Sequence, residues 1–405
     1  MKSRLAAPTT VTARRILSGS ELLNDGWMTI AEGIITGVGE GAPPRPADLE
    51  LGDRKVIPGF VDMHVHGGGG ASYTDGVTEE VRAAARFHRM HGTTTTLTSL
   101  VSAAPDALAH QVQALVPLVA AGEIGGIHLE GPWLADSRCG AHDPAALRNP
   151  DSAEIDRLLD VGGSAIKMVT LAPELDGGIE AVTKLADAGV VVAIGHTEAT
   201  YQQTKEAIAA GARVGTHLFN AMRPLRHREP GPVLALLSDE RVTVELVGDG
   251  VHIHRDLASY VEQVAGPSRI ALVTDAMAAA GCSDGSYRLG ILDVDVVDAV
   301  ARVRATGAIA GSTATMDLLF SRAAHGLSHG EPATDGVPAT DGVLTDEAII
   351  AASAMCSSTP ARAVGLDGVG DLVPGYRADF LAIDDAAHLH AVYQGGVAAT
   401  DAALL

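Results

Sequence analysis

The sequence predicts an α/β protein built on a (β/α)8 barrel, beside which both ends of the chain form a small β-domain. From Val56 onward, short apolar runs rich in β-branched residues alternate with Ala-rich helical stretches, which is typical of repeated βα units around a parallel sheet. Eight such units predict a closed barrel. The predicted barrel strands lie near residues 60–66, 93–100, 125–130, 165–171, 190–196, 213–218, 242–248 and 269–275.

The small β-domain is predicted from segments at both ends of the chain. Residues 10–57 contain short β-type runs separated by turn residues, without an evident helix. Beyond the eighth barrel strand, the predicted elements are a β-type run at 287–297, helices at 316–327 and 346–364, and strands at 379–383 and 391–393. We expect residues 1–57 and 370–405 to form the small domain and residues 58–369 the barrel. The tandem six-residue duplication at 332–343, rich in Pro, Gly and Asp, predicts an exposed loop.

Composition and charge exclude several classes of protein. Hydrophobic residues make up 46% and charged residues 20%, as in globular proteins, and only 3% of the residues are aromatic. The 29 Lys and Arg residues against 50 Asp and Glu residues give a net charge of -21, which opposes binding to nucleic acid or to an anionic membrane. No apolar run approaches the roughly 20 residues of a membrane-spanning helix. Arg14 and Arg15 interrupt what would have to be the apolar core of a signal peptide.

The cysteines indicate a reducing compartment. Cys139, Cys282 and Cys356 are an odd number without paired short spacing, so we expect neither a disulfide framework nor a cysteine zinc site. The sequence therefore predicts a cytoplasmic protein.

Six side chains that can bind metal fall at or near the ends of predicted strands: His64, His66, Glu130, His196, His217 and Asp275. His64 and His66 are two residues apart, so in an extended strand they share a face and can converge on one ion. In a barrel of this kind the carboxyl ends of the strands meet at one mouth, where active sites are built. A single strand-end His is more often structural than a ligand, but six such residues at equivalent positions favour a metal site.

The ligand types at these strand ends indicate hydrolytic chemistry. Imidazole and carboxylate without thiolate suit a divalent ion such as zinc, iron or manganese, and the ligand set does not choose among them. A bound divalent ion lowers the pKa of its water towards about 7. Asp275 could take the proton from that water and pass it to the leaving group. The expected reaction is hydrolysis.

Several motifs resemble the amidohydrolase superfamily, namely PGFVDMHVH at 58–66, the strand-end His, His and Asp, and GDLVPGYRAD at 370–379. Further motifs resemble the amino-sugar-phosphate deacetylases within it: HLEGPW at 128–133, GHT at 195–197, THLFNAM at 216–222, DGVH at 249–252 and VTDAM at 273–277. They run from about residue 56 to residue 380 in the same order and with similar spacing. This resemblance implies a (β/α)8 barrel, a β-sandwich made from both termini and, usually, a homodimer.

The resemblance also implies a set of metal ligands. It makes Glu130, His196 and His217 ligands of one ion. Some members of the family lack the His pair and carry a single metal. Because His64 and His66 are present in this chain, a second ion bridged by Glu130 is expected, which gives one or two divalent ions per subunit.

The catalytic and substrate-binding residues are implied in the same way. Asp275 would act as general base and then as general acid, and His142 would contact the amide carbonyl and polarise it. Cys139 stands where the family often has Lys; a tolerated substitution is the simpler interpretation, and a thiol that makes the loop sensitive to oxidation is the alternative. The implied substrate-binding positions are Ala141, His142, Asn220, Ala221, Arg228, Asp249, Gly250, Val251, His252, Ile309, Ala310 and Gly311.

A small basic cluster lies in this acidic chain, formed by Arg223, Arg226, His227 and Arg228. A phosphate subsite needs such a cluster. Viewed alone, a solvated loop is an equally good interpretation. The resemblance implies that Arg228 and His252 hold a sugar phosphate, in contacts that can cross the dimer interface.

Together the strand-end residues predict a metal-dependent hydrolase, and the resemblance implies that it removes acetate from N-acetyl-D-glucosamine 6-phosphate, in amino-sugar catabolism and cell-wall recycling. One alternative is a cyclic amidohydrolase similar to hydantoinases and dihydroorotases, in which Lys167 on the fourth strand would be carboxylated and bridge two metals. Against it, Glu130 already offers a bridging carboxylate. A non-catalytic scaffold on the same fold is the second alternative, disfavoured because none of the six ligand-type residues is missing.

Overall fold

A computed structural model describes residues 9–327 and 344–399. Its strands are β1 (Thr9–Ser18), β2 (Glu21–Ala31), β3 (Ile34–Glu40), β4 (Leu49–Glu50), β5 (Lys55–Pro58), β6 (Phe60–Asp62), β7 (Gly67–Gly68), β8 (Ala71–Ser72), β9 (Thr93–Leu100), β10 (Gly126–Glu130), β11 (Ile166–Leu171), β12 (Val191–Ile194), β13 (Val214–Gly215), β14 (Thr243–Leu246), β15 (Ile270–Leu272), β16 (Gly285–Leu289), β17 (Leu292–Val297), β18 (Val300–Val303), β19 (Phe380–Ile383), β20 (Leu389–Gln394) and β21 (Val397–Ala398). Its α-helices are α1 (Thr78–Met90), α2 (Pro105–Ala120), α3 (Ser152–Gly162), α4 (Gly178–Asp187), α5 (Tyr201–Ala210), α6 (Gly231–Ser238), α7 (Arg255–Ala265), α8 (Met316–Ala324), α9 (Asp346–Ser353) and α10 (Thr359–Ala363).

Eight parallel strands form the barrel, in the order β6, β9, β10, β11, β12, β13, β14 and β15. Hydrogen bonds just beyond the strand ends join the last strand to the first: the amide of Asp275 donates to the carbonyl of His64 at 2.9 Å, and the amide of His66 donates to the carbonyl of Ala276 at 2.7 Å. This seam places two segments that carry predicted ligands side by side.

Aliphatic side chains fill the barrel and the layer between the barrel and its helices. Because the strands are covered on both faces, they are nearly continuous apolar runs, as in β11, where only Lys167 is partly exposed. The barrel interior is packed by Met63, Leu97, Met168, Ala193, Val214, Val247, Ala271, Val273 and Val364. This packed interior closes the barrel below its mouth, so the site lies at the carboxyl ends of the strands.

Both ends of the chain contribute to one further sheet, in the order β21, β20, β19, β5, β1, β2 and β3, with β4 paired to β1. A separate core that includes Val11, Ile16, Met28, Val56 and Phe380 packs against it. Strand β5 lies between β1 and β19 and leads through Gly59 into barrel strand β6. The predicted fold class is confirmed; the boundaries at 1–57, 58–369 and 370–405 remain predictions.

Some local predictions need correction. The helix predicted at 346–364 is divided into α9 and α10 by a π-helical turn at Ala354–Ser358. The helix predicted from 316 ends at Ala324. The β-type run at 287–297 falls in β16 and β17, which form a three-stranded antiparallel sheet with β18. The duplicated segment 332–343 lies outside the described residues, within which no helix has both the length and the apolar character to cross a membrane.

Candidate active site

Glu130, the last residue of β10, lies at the centre of a cluster of imidazoles. Its side chain is almost fully buried, with 5% exposed. Nε2 of five histidines lies near its two oxygens: Oε1 is 3.5 Å from His64, 3.1 Å from His196 and 3.0 Å from His217, and Oε2 is 3.2 Å from His66 and 3.3 Å from His142. The structure thus gathers imidazoles from three strand ends and one loop around a single carboxylate.

Asp275, which follows β15, completes the cluster. Its Oδ1 lies 3.3 Å from Nε2 of His66 and 3.5 Å from Nε2 of His64. All six residues predicted as metal ligands therefore lie together at the barrel mouth. Among the described residues, two groups of three have ligand atoms close enough to hold an ion: His64, His66 and Asp275, and Glu130, His142 and His196.

Three of these residues have a backbone conformation that non-glycine residues rarely adopt. His196, His217 and Asp275 have φ angles of 48°, 25° and 48°. A positive φ costs a non-glycine residue free energy, and such residues are concentrated at functional sites. Each residue lies two or three positions past the end of its strand, where this conformation turns the chain sharply and presents the side chain to the barrel mouth.

Hydrogen bonds at Nδ1 set the ring orientation of three histidines. His64 Nδ1 lies 2.9 Å from Oε2 of Glu245, His66 Nδ1 lies 3.2 Å from the carbonyl of Ser99, and His196 Nδ1 lies 2.7 Å from the carbonyl of Arg138. These partners only accept hydrogen bonds, so each Nδ1 carries the proton. In the neutral ring each Nε2 therefore presents a lone pair to the centre of the cluster.

His142 has the opposite arrangement. Its Nδ1 accepts a hydrogen bond from the amide of Ser102 at 3.2 Å, and burial lowers its pKa to about 4, so that the ring is neutral. The proton of the neutral ring is then on Nε2. His142 therefore offers a hydrogen-bond donor to the site rather than a lone pair, although its distance from Glu130 would also allow it to bind a metal.

Buried carboxylates in the site favour positive charge next to them. Burial raises the pKa of Glu130, but the neighbouring imidazoles, His64 foremost, hold that pKa well below its usual range. Burial lowers the pKa of His66, but hydrogen bonds to Asp275 and Glu130 raise it to about 9. Because the Glu130 and Asp275 carboxylates stabilise positive charge on the imidazoles, the centre of the cluster also favours a bound cation.

The distances between imidazoles give a test of whether a metal fits. Nε2 of His64 lies 3.2 Å from Nε2 of His66, and Nε2 of His196 lies 3.1 Å from Nε2 of His217. When His64 and His66 are neutral with their protons on Nδ1, their two Nε2 lone pairs face each other at this distance and repel, and positive charge held between them relieves the repulsion. The nitrogen and oxygen donors, without thiolate, suit a divalent ion of borderline or hard character. The residues present therefore fit a metal centre.

A cavity of about 320 Å³ opens above this cluster. Seven of the predicted substrate-binding residues line it, together with His66, Glu130, His196, His217 and Asp275 from the cluster. The seven are Ala141, His142, Asn220, Ala221, His252, Ile309 and Gly311. Its volume is within the usual range for small-molecule sites.

The other five predicted substrate-binding residues do not line the cavity. Arg228 is exposed on the loop between β13 and α6, because the basic segment extends into solvent. Ala310 is fully buried. Asp249 hydrogen-bonds His252 Nδ1 at 2.7 Å and accepts the amides of Val251 and His252, so it orders the turn that also contains Gly250 and Val251. Asp249 therefore affects the site indirectly, by orienting the ring of His252.

The structure also places residues at the site that the sequence analysis did not select. Val101, Ser137, Arg138, Leu289 and Ala308 line the cavity. Behind the ligands, Glu245 of β14 is fully buried and holds the ring of His64. A glutamate inside the apolar run Val242 to Val247 is a signal that could have identified it, because a buried charge needs a partner. Lys167, in contrast, lies at the amino-terminal half of β11, and the structure does not bring it to the cavity or to either group of ligands.

Comparison with known proteins identifies the family. The amidohydrolase family matches residues 55–401, which is most of the sequence. The chain belongs to this family. Several solved structures share the amidohydrolase barrel with it, among them that of a mutant N-acetyl-D-glucosamine-6-phosphate deacetylase from Mycobacterium smegmatis in complex with N-acetyl-D-glucosamine-6-phosphate. It is 48% identical in sequence, with a TM-score of 0.91, over 98% of this chain and 100% of that chain.

Two curated amidohydrolase relatives extend the comparison. N-acetylgalactosamine-6-phosphate deacetylase of Escherichia coli O157:H7 is 35% identical over 95% of this chain and 97% of its own length. N-acetylglucosamine-6-phosphate deacetylase of Lysinibacillus sphaericus is 32% identical over 94% of both chains. The amidohydrolase family is metal-dependent, in agreement with the ligand groups described above.

Proposed function

We propose that this protein is a metal-dependent deacetylase that hydrolyses N-acetyl-D-glucosamine 6-phosphate to D-glucosamine 6-phosphate and acetate, in amino-sugar catabolism and cell-wall recycling. The observation that carries the proposal is the cluster around Glu130, in which ligand-type side chains, a carboxylate base and an imidazole donor face one cavity. The relative that binds this same sugar phosphate is 48% identical over nearly the whole chain.

The proposed metal ligands are His64, His66 and Asp275 for one ion, which lie within one group of ligand atoms. Glu130, His196 and His217 would hold a second ion, and Glu130 also lies 3.2 Å from His66 of the first set. When bound, a divalent ion would polarise the amide carbonyl and lower the pKa of water. Zinc, iron and manganese all suit these nitrogen and oxygen donors.

Asp275 is the proposed proton carrier. Its side chain is 10% exposed at the barrel mouth, and although burial raises its pKa, His64 and His66 hold the pKa well below its usual range, so it is a carboxylate. It takes a proton from the water that attacks the amide carbonyl. It then gives that proton to the nitrogen as the bond between carbon and nitrogen breaks, releasing acetate and the free amine.

His142 is the proposed donor to the carbonyl oxygen. Since its Nδ1 accepts from Ser102, the proton is on Nε2, which lies 3.3 Å from Oε2 of Glu130 in the cavity wall and can donate to a bound carbonyl oxygen. Negative charge develops on the carbonyl oxygen as water adds, and a donor already in position stabilises that charge. The loop from Ser137 to His142 carries this donor together with part of the cavity wall.

The phosphate of the substrate requires positive charge. His252 lines the cavity, and hydrogen bonding to Asp249 raises its pKa against the effect of burial. Arg228 is exposed outside the cavity of its own chain, which agrees with a role at the site of a second subunit. The proposal therefore includes a homodimer. Three free cysteines agree with a cytoplasmic location.

Hydrolysis of a panel of substrates tests the proposal, measured as acetate release for the N-acetyl sugars and as ring opening for the cyclic amide. The panel is N-acetyl-D-glucosamine 6-phosphate, its galactosamine epimer, unphosphorylated N-acetyl-D-glucosamine and, for the cyclic amide alternative, dihydroorotate, each with protein of measured metal content. We expect the highest kcat/KM for the glucosamine phosphate. Higher kcat/KM for the galactosamine epimer would change the assigned sugar, and turnover of dihydroorotate alone would overturn the proposal.

A further inference from the structure

A second cavity, of about 430 Å³, lies at the other end of the barrel. Residues 122–124, which precede β10, form one side of it, whereas the active site is built where β10 ends. Helices α1 and α2 and the sheet formed by both ends of the chain, called the terminal sheet below, complete its walls. The lining residues are Val81, Arg82, Ala85, Arg86, Arg89, Leu118, Gly122, Glu123, Ile124, Arg377, Gln394 and Gly395. We call this the arginine cavity.

Four arginines and a single carboxylate line the arginine cavity, in a chain whose net charge is -21. Arg82, Arg86 and Arg89 are three or four residues apart on α1, so they lie along one face of the helix. Arg377 approaches from the segment that leads into β19. The positive charge is therefore a local feature, opposite in sign to the rest of the molecule.

Two of the four guanidinium groups are already paired. Arg82 forms two bonds with Glu123, of 2.6 and 2.9 Å, and one of 2.8 Å with Glu79. Arg377 is held by Asp379 and donates to Oγ1 of Thr95 at 2.6 Å. Glu123, the acidic residue of the lining, is therefore already paired. The bonds also hold the side chains of Arg82 and Arg377 in the cavity wall.

The side chains of Arg86 and Arg89 have no hydrogen bond or ion pair with any residue in 9–327 or 344–399. Arg89 Nε is buried and lacks a hydrogen-bond partner. Burial lowers the pKa of Arg89 and outweighs the raising effect of Tyr73 and Asp379, while the charges of Arg377 and Arg86 lower that pKa further. A partly buried guanidinium that forms no ion pair is costly, whereas one in direct contact with an anion is stabilised. The cavity therefore has positive charge and donors that the protein does not satisfy.

We propose that the arginine cavity binds a phosphate group, either as inorganic phosphate or as the phosphate of a small monoester. Guanidinium groups match the oxygens of a phosphate, and two unpaired cations suit a doubly charged anion better than a single carboxylate. The volume leaves room for more than the ion, and the apolar walls from Val81, Ala85 and Leu118 can contact the body of an ester. This inference does not depend on the proposed function.

Equilibrium dialysis of the full chain measures the number of bound anions per chain and their affinity. The probes are labelled inorganic phosphate and, separately, labelled glucose 6-phosphate, which has no acetamide to hydrolyse. The test variant is Arg86→Glu, because Arg86 is exposed and its replacement should leave the fold intact. Arg157→Glu is the matched control: this helical arginine is 50% exposed, lies outside the cavity and receives the same change of charge. Circular dichroism confirms that both variants fold.

We expect the wild type and Arg157→Glu to bind one more anion per chain than Arg86→Glu, or to bind it at least tenfold more tightly. Loss confined to inorganic phosphate identifies the ion as the ligand, and loss confined to glucose 6-phosphate identifies the ester. Equal numbers and affinities in all three proteins, with either probe, would overturn the proposal. Crystals soaked in tungstate give an independent result: anomalous density beside Arg86 and Arg89 supports the site, and density only at the barrel mouth contradicts it.

Discussion

Glu245 accepts a hydrogen bond from Nδ1 of His64 across 2.9 Å, inside the barrel and out of contact with solvent. The same oxygen accepts the amide of His217 at 3.0 Å. One buried carboxylate thus orients the ring of one proposed ligand and the backbone of another. Partners of this kind fix the tautomer of a metal-binding imidazole and increase its basicity.

Replacing Glu245 by Gln should weaken metal binding without unfolding the protein. The amide oxygen of Gln can still accept from His64, but the negative charge is lost, so we expect the affinity for a divalent ion to fall by about 10–100-fold. Competition with a chromophoric chelator measures the affinity directly. Glu240→Gln, at an exposed position shortly before β14, is the matched control. Equal metal affinity in the two variants would show that Glu245 does not support the ligands.

His142 and His196 should respond differently to substitution, although both lie close to Glu130. We expect His142→Ala to keep its metal and to lose about 10²–10³-fold in kcat, because a donor to the carbonyl oxygen is removed. His196→Ala should lose metal. Metal content by atomic emission, measured beside kcat, separates the two effects. Loss of metal from His142→Ala would make His142 a ligand and contradict its assignment as a donor.

Asp385 should stabilise the terminal sheet in a manner that depends on pH. It pairs with Arg14 and with Lys55 of β5, whose side chain is only 5% exposed, and these two partners lower the pKa of Asp385 to about 2. The ordinary value for Asp is about 3.9. Because the pKa is lower in the folded state, the stabilisation is present above about pH 4 and is lost as the pH falls towards about 2.

Asp385→Asn is therefore expected to lower the free energy of unfolding by about 1 kcal/mol at pH 7, a modest value because the Asp385 side chain is half exposed and screened by solvent. Urea unfolding of the wild type and of Asp385→Asn, at pH 7 and at several values between about 4 and 2, measures the difference. The gap between the two proteins should close as the pH falls. A gap that stays constant would show that the charge of Asp385 contributes nothing.

Much of the site could be predicted because barrel geometry relates position in the sequence to position in space. His196, His217 and Asp275 follow three different strands, and parallel strands place such residues at one mouth. The positive φ angles of these three residues could not be predicted, since His and Asp carry no sequence signal for a conformation that the surrounding packing imposes.

The tautomers of the histidines could not be predicted from the sequence either. His142 and His196 are the same residue type, yet the His142 ring accepts a hydrogen bond from the amide of Ser102, whereas the His196 ring donates one to a backbone carbonyl. Long-range packing sets these partners, and the partners set which nitrogen faces the cavity. For Arg228 the sequence predicted a contact that the single chain does not make. Its place in the motif indicated a contact with the substrate, but the fold of one chain leaves its side chain in solvent.

Acetate release from N-acetyl-D-glucosamine 6-phosphate by Asp275→Asn, compared with wild type at equal metal content, tests the central claim most directly. The variant keeps the shape of the side chain and loses the base that takes and returns the proton, so we predict a fall in kcat of about 10²–10⁴-fold. Metal analysis of both samples separates this loss from loss of the ion. A variant that releases acetate at the wild-type rate would contradict the account.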